Sequence, residues 1–163
     1  MLRPMDRMLE WGSGRGTIWF ARRVEHVTSV EHDESWYRRT QAAVTAAAVT
    51  NVRLLLVDEQ RDDYVGVATT FEPESLGCVL IDGVPDLRDA CAVAAVPLVQ
   101  SAGMLVLDNA NWYLPSASRA PSSRTRTDGP ASAGWTEFER LVADWRAYWT
   151  SNGVWDTAIW VRP

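Results

Sequence analysis

Short apolar runs alternate along this chain with stretches whose apolar residues recur three and four apart, and most of the runs stop at an acid. Met8 to Trp11 reads as a first short strand, and the helix after it carries Ile18, Trp19 and Ala21. His26 to Glu31 is a second strand, after which Asp33 is placed to cap a helix with Trp36, Thr40, Val44 and Ala47 at helical spacing. Val52 to Val57 reads as a third strand, apolar and buried on both faces. The polar stretch Glu59 to Ser75 is a loop with at most a short helix. Leu76 to Ile81 forms a strand ending at Asp82-Gly83, and Met104 to Leu107 one ending at Asp108-Asn109. Between them Pro85 suits a first helical position, with Leu87, Cys91, Ala94 and Leu98 as the buried stripe. Thr136 and Glu139 make a capping-box signature for a last helix faced by Phe138, Leu141, Val142, Trp145 and Trp149. Asn152-Gly153 then turns the chain into one closing strand, Val154 to Val161.

Strands alternating with helices predict an α/β fold: a Rossmann-like, doubly wound, mostly parallel sheet with helices on both faces and an antiparallel closing strand. With 163 residues, 47% of them hydrophobic, one domain spanning 1–163 is expected. The Ser, Pro, Arg and Gly of Ala110 to Gly134 mark a flexible loop or lid. No apolar run approaches the ~20 residues of a membrane span, and the N-terminus lacks a signal-peptide core, so a cytoplasmic protein is expected. Cys78 and Cys91, both in apolar surroundings, suit buried free thiols, and no Cys/His cluster offers a zinc site. A formal charge of −5 argues against nonspecific nucleic-acid binding. Every basic residue is Arg, which excludes lysine Schiff-base chemistry and a P-loop lysine.

Chemistry concentrates at the strand ends. Leu9 to Thr17 reads LEWGSGRGT, in which Gly12, Gly14 and Gly16 let backbone N–H groups approach a ligand closely. In an open parallel sheet ligands bind beyond the carboxyl ends of the strands, where Glu10, Glu31, Asp58, Asp82 and Asp108 stand. An acid about 20 residues past a glycine turn is the usual partner of a ribose hydroxyl, which is the spacing of Glu31. The dinucleotide fingerprint wants a small third residue where Thr17 stands, and Glu10 before the turn would repel a pyrophosphate. A cofactor with a cationic amino group and a sulfonium fits better, which favours S-adenosylmethionine over NAD.

The chain resembles the class I S-adenosylmethionine-dependent methyltransferases over nearly its whole length. The resemblance implies that Glu10, Gly12, Ser13, Gly14, Gly16 and Thr17 surround the methionine part of the cofactor and that Glu31, with His32 beside it, holds the ribose. It implies further that Asp58 lies near the adenine and Asp82 near the methyl group. Asp82 with Asp108-Asn109 is similar to the metal site of catechol and caffeoyl-coenzyme A O-methyltransferases, which implies a catalytic set Asp82, Asp108 and Asn109 and a Mg²⁺ or other divalent cation held there. Methyl transfer to an oxygen nucleophile of a small-molecule substrate is the activity expected. A cofactor-binding domain without catalysis and an NAD-dependent oxidoreductase are the alternatives. Only about eight residues precede the first motif, where the metal-dependent group has covering helices, so a homodimer or partner chain over the substrate side is expected. Trp112 and Tyr113 open the long loop and could line a substrate pocket. Arg119, Arg124 and Arg126 read either as a solvated Ser/Arg loop or as a clamp for an anionic group.

Overall fold

In the computed structural model, which describes residues 2–163, the polypeptide threads seven strands into one sheet. In chain order these are β1 (Arg7–Trp11), β2 (His26–Glu31), β3 (Val52–Leu56), β4 (Leu76–Ile81), β5 (Val99–Asp108), β6 (Arg146–Ser151) and β7 (Asp156–Val161). They lie in the order β3-β2-β1-β4-β5-β7-β6. The first five are mutually parallel, β7 runs antiparallel to β5, and β6 runs antiparallel to β7. The chain starts at β1, winds outward to β3, then crosses back to place β4 on the other side of β1. The carboxyl ends of β1 and β4 therefore flank the switch point, where a doubly wound sheet opens a crevice.

Alternation of side chains divides the sheet into two faces. Leu9, Trp11, Val79, Ile81, Leu105 and Leu107 belong to the larger core, which takes in Tyr64 of α3 (Arg61–Gly66), Cys91 of α4 (Arg88–Ala95) and Phe138 of α5 (Ala133–Leu141). Met8, Val27 and Cys78 face the opposite way, toward Ala21 of α1 (Arg15–Ala21), and α2 (Glu34–Ala46) packs along β2 and β3 on the α1 side. That second face is thinly covered near Cys78, Met104, Val106 and Ile159, which line an apolar hollow of about 760 Å³ together with Trp19 and Phe20. Cys78 and Cys91 are both buried and free.

Several elements differ from the expectation, among them β5, which begins at Val99 rather than Met104. β3 is an edge strand paired only with β2, so Arg53 and Leu56 are exposed and it is not buried on both faces. The last helix starts earlier than Thr136, because Ser132 is its cap and accepts a hydrogen bond from the Trp135 N–H at 3.3 Å. It also stops at Leu141, so that Trp149 lies on β6 and the closing strand is a two-stranded antiparallel hairpin. Trp145 and Trp149 are spaced as on a helix, but Asn152-Gly153 is a hairpin turn with Gly153 at φ +87°, and pairing with β7 outweighs the local period. The segment 110–132 opens with a 3-10 turn, Ala110–Trp112, and continues as turns knit to the body up to α5. Asn111 is fully buried, donating to the Pro121 carbonyl at 3.1 Å and accepting from the Asp156 N–H at 3.1 Å, and Arg124 donates to the carbonyls of Gly129 and Asp128.

Candidate active site

The glycine turn is held from beneath by side chains of its own motif. Glu10, 1% exposed, accepts from the Thr17 hydroxyl at 2.8 Å, and that hydroxyl in turn accepts from the Gly14 N–H at 3.0 Å. Burial pushes the Glu10 carboxyl up to about 7 against the lowering effect of the Thr17 bond. Glu10 thus lies under the loop and fastens it. Gly12 has φ +97°, and a Cβ there would stand 2.7 Å from the carbonyl carbon of Asp82. Only glycine lets the turn after β1 pass so close to the end of β4.

Glu31 closes one side of the cleft. Its Oε2 accepts from the Ser13 N–H at 3.1 Å and the Ser13 hydroxyl at 2.9 Å, while Oε1 accepts from the backbone N–H groups of His32 and Asp33 at 2.8 and 3.0 Å. Asp33 caps α2 as expected, accepting from the Trp36 N–H at 2.7 Å, and this places the Trp36 indole over the loop, where its N–H donates to the Ser13 carbonyl. Gly12, Ser13, Glu31, His32, Trp36, Asp82 and Gly83 line one cleft of about 440 Å³. Asp58 is not among them: it accepts from the Gln60 N–H at 3.0 Å and lines a separate hollow with Leu56, Asp62 and Asp63.

At the ends of β4 and β5 the structure brings Asp82, Asp108 and Asn109 together around a residue that the sequence reading passed over. Arg88, 6% exposed at the start of α4, donates to the Gly83 carbonyl at 3.0 Å, to the Asp108 carbonyl at 2.9 Å and Asn109 Oδ1 at 3.0 Å, and to Asp82 through its carbonyl at 2.9 Å and Oδ1 at 3.0 Å. Asn109 reaches this position through a left-handed backbone, φ +54°, a conformation that asparagine tolerates. Asp108 Oδ1 accepts from the Thr157 hydroxyl of β7 at 3.1 Å. The Asp82 side chain stays 43% accessible. Partial burial and the nearby Asp108 carboxylate push Asp82 up to about 6 even though Arg88 pulls the other way. A carboxylate poised there can take a proton from an acceptor at neutral pH.

A divalent cation does not fit this arrangement. Hard cations need several oxygen ligands free to close to ~2.0–2.6 Å, whereas Asp82 Oδ1 and Asn109 Oδ1 already bond a guanidinium. Among the described residues no group of three His, Cys, Asp or Glu side chains could hold a metal ion. The cation expected at Asp82, Asp108 and Asn109 thus finds no support here, and the positive charge bonded to the Asp82 and Asn109 side chains is that of Arg88. A burial argument could have found it, because an arginine next to an apolar helical stripe and six residues past a strand-end acid is buried only with partners.

Comparison with solved structures decides the architecture. An rRNA methylase from Streptococcus thermophilus superposes with TM-score 0.66 at 10% identity, covering 99% of this chain and 89% of its own. A Streptococcus mutans protein described as a methyltransferase, solved in complex with SAH, gives TM-score 0.66 at 10% identity over 99% of this chain and 91% of its own. The fold is that of the class I methyltransferases. A precorrin-6y C5,15-methyltransferase from Geobacter metallireducens shares this methyltransferase fold, with TM-score 0.65 at 12% identity over 99% and 82% of the two chains. No protein-family model and no curated protein sequence matches the chain. Identities this low carry the methyltransferase fold and leave the acceptor open.

Trp112 and Tyr113 part company. Trp112 stays 37% exposed with its ring 5.3 Å from that of Trp155, whereas Tyr113 is half-buried against Trp135, ring centroids 5.1 Å apart. Among the described residues no helix is long and apolar enough to cross a membrane.

Proposed function

We propose that this chain binds S-adenosylmethionine in the cleft between β1, β2 and β4 and transfers its methyl group to an oxygen nucleophile of a small molecule. The observation that carries the reading is the position of Asp82, a carboxylate raised to about 6 at the end of β4, beside a glycine turn that cannot bear a side chain at Gly12. The SAH bound to the Streptococcus mutans protein of the same fold supports the choice of cofactor. In this reading Ser13, Gly14 and Gly16 shape the wall for the methionine part, fastened by Glu10 and Thr17. Glu31 and His32 face the ribose. Asp58, outside the cleft in this structure, would meet the adenine only if the ligand extends past β3.

Transfer is an in-line displacement: the acceptor oxygen attacks the methyl carbon as the carbon–sulfur bond breaks, and SAH leaves. The donor's sulfonium already activates the methyl group, so the protein mainly aligns the two reactants. Asp82 takes the acceptor's proton, Asp108 holds the charge that keeps Asp82 basic, and Asn109 fixes Arg88 between them. An RNA acceptor, suggested by the rRNA methylase likeness, is disfavoured by the net charge of −5 and the acids at this sheet edge.

Calorimetric titration with SAH, NAD and NADP tests the cofactor; binding of SAH alone is expected, and absence of SAH binding overturns the reading. Asp108→Ala should abolish methyl transfer while leaving SAH affinity nearly unchanged. Full turnover by that variant would remove the acid pair from the mechanism.

A further inference from the structure

We infer that Arg88 is a built-in replacement for a divalent cation: its guanidinium bonds the side-chain oxygens of Asp82 and Asn109 and the main-chain carbonyl of Asp108, holds the two strand ends together and positions Asp82 for metal-free proton removal. This rests on the proposed methyl transfer for its catalytic consequence, but not for the cation replacement itself.

The argument is one of donors and acceptors. A guanidinium has five N–H donors in a fixed planar fork and no acceptor. Arg88 makes one bond through Nε, two through Nη1 and two through Nη2, all between 2.9 and 3.0 Å. Every donor is engaged, so none remains to hold a substrate oxygen. Two of the acceptors, Asp82 Oδ1 and Asn109 Oδ1, are the side-chain oxygens that a hard cation would need. The other three are the carbonyls of Asp82 and Gly83, just past the end of β4, and of Asp108, the last residue of β5. The fork therefore joins two strand ends and sets the bend at Asp82-Gly83 against which Gly12 packs.

A bound cation would be exchangeable and would polarise an acceptor oxygen directly. Arg88 is covalently attached, permanently charged and fully bonded. It supplies the neutralising charge without ligating the acceptor, which leaves activation to the Asp82 carboxylate. Arg88 is thus a positioning residue, and removing it should turn the cluster into a cation site, since the side-chain oxygens of Asp82 and Asn109 and the Asp108 carbonyl would then face an unfilled space near the Asp108 carboxylate.

Mn²⁺ binding followed by electron paramagnetic resonance tests this on the intact chain. The wild type should bind no stoichiometric Mn²⁺ at the cluster. Arg88→Ala should bind one, at least about tenfold more tightly than the wild type, and Arg88→Ala/Asp82→Asn should lose it. Arg88→Lys should stay without Mn²⁺, because it keeps the charge. Should Arg88→Ala fail to fold, Arg88→Met preserves the buried stem and serves in its place. Stoichiometric Mn²⁺ on the wild type that disappears with Asp82→Asn would overturn the inference, as would a folded Arg88→Ala or Arg88→Met variant that gains no Mn²⁺. Where methyl transfer is measured, the wild-type rate should be unchanged by EDTA. If no methyl transfer is found at all, that strikes the proposed activity and leaves the Mn²⁺ result standing.

Discussion

At the scale of single residues, the cleft is built from groups that would be costly anywhere else. Glu10 is a carboxylate under a loop, and its native pKa of about 7 lies above the unfolded value of about 4.5. The native state therefore binds this proton more tightly, so the group's contribution to stability is full below about pH 4.5 and is lost as pH rises through about 7. Glu10→Gln, which keeps an acceptor for Thr17, should be more stable than the wild type at pH 8, by up to about 3 kcal/mol, and the two should converge near pH 5. Thermal unfolding at both pH values checks it; equal differences at the two would mean that Glu10 is not held above its ordinary range. Gly12 is demanding in another way, with a positive φ and no space for a methyl. Gly12→Ala should weaken SAH binding by roughly tenfold or more, read by calorimetry, because the turn must move off the end of β4.

At the scale of elements, most signals that are local in the chain match the structure, the Thr136 cap excepted, whereas those that depend on a neighbour do not. β2 and β4 match their expected bounds, β2 rich in β-branched residues and ending at Glu31, β4 an apolar run followed by Asp82, and the Asp33 cap of α2 involves only residues of its own turn. β3 looked interior from its composition, yet whether a strand is covered depends on its place in the sheet. The four-residue spacing of Trp145 and Trp149 predicts that the last helix continues into β6, and only the β7 partner shows otherwise. The two competing starts of α5 can be separated directly. Ser132→Ala removes the bond to the Trp135 N–H and the 2.6 Å bond from its hydroxyl to Asp89, so it should cost about 1 kcal/mol and lower the melting temperature by about 2–4 °C. Thr136→Ala should change it little, and the reverse order would return the cap to Thr136.

At the scale of the whole molecule, the strand order brings charges together from distant parts of the chain. Asp82 is raised because it is partly buried and shares its surroundings with Asp108 of the next strand. If Asp82 is the base, kcat/KM should climb with pH, with an inflection near 6, and level off above it. Asp108→Asn removes a raising influence, so the inflection should move to lower pH in whatever activity that variant retains. An unmoved inflection would assign the titration to another group. The larger core packs α3, α4 and α5 behind this edge, which keeps the strand ends in register, whereas the opposite face leaves the hollow beside Cys78 and Met104 thinly covered.

The linear order of residues by itself determined the α/β class, the glycine turn and the acids at the strand ends. These follow from hydrophobic period, turn chemistry and the rule that a parallel strand delivers its polar end to one edge, all of which act over a few residues. Only the tertiary structure decided which of those acids meet. It put Glu10 beneath the loop and Asp58 outside the cleft, and it set Arg88 among Asp82, Asp108 and Asn109 where a metal ion was expected. The physical reason is that a buried charge is tolerated only where partners converge on it. Those partners come from separate strands, whose adjacency is a property of the sheet and not of any stretch of chain.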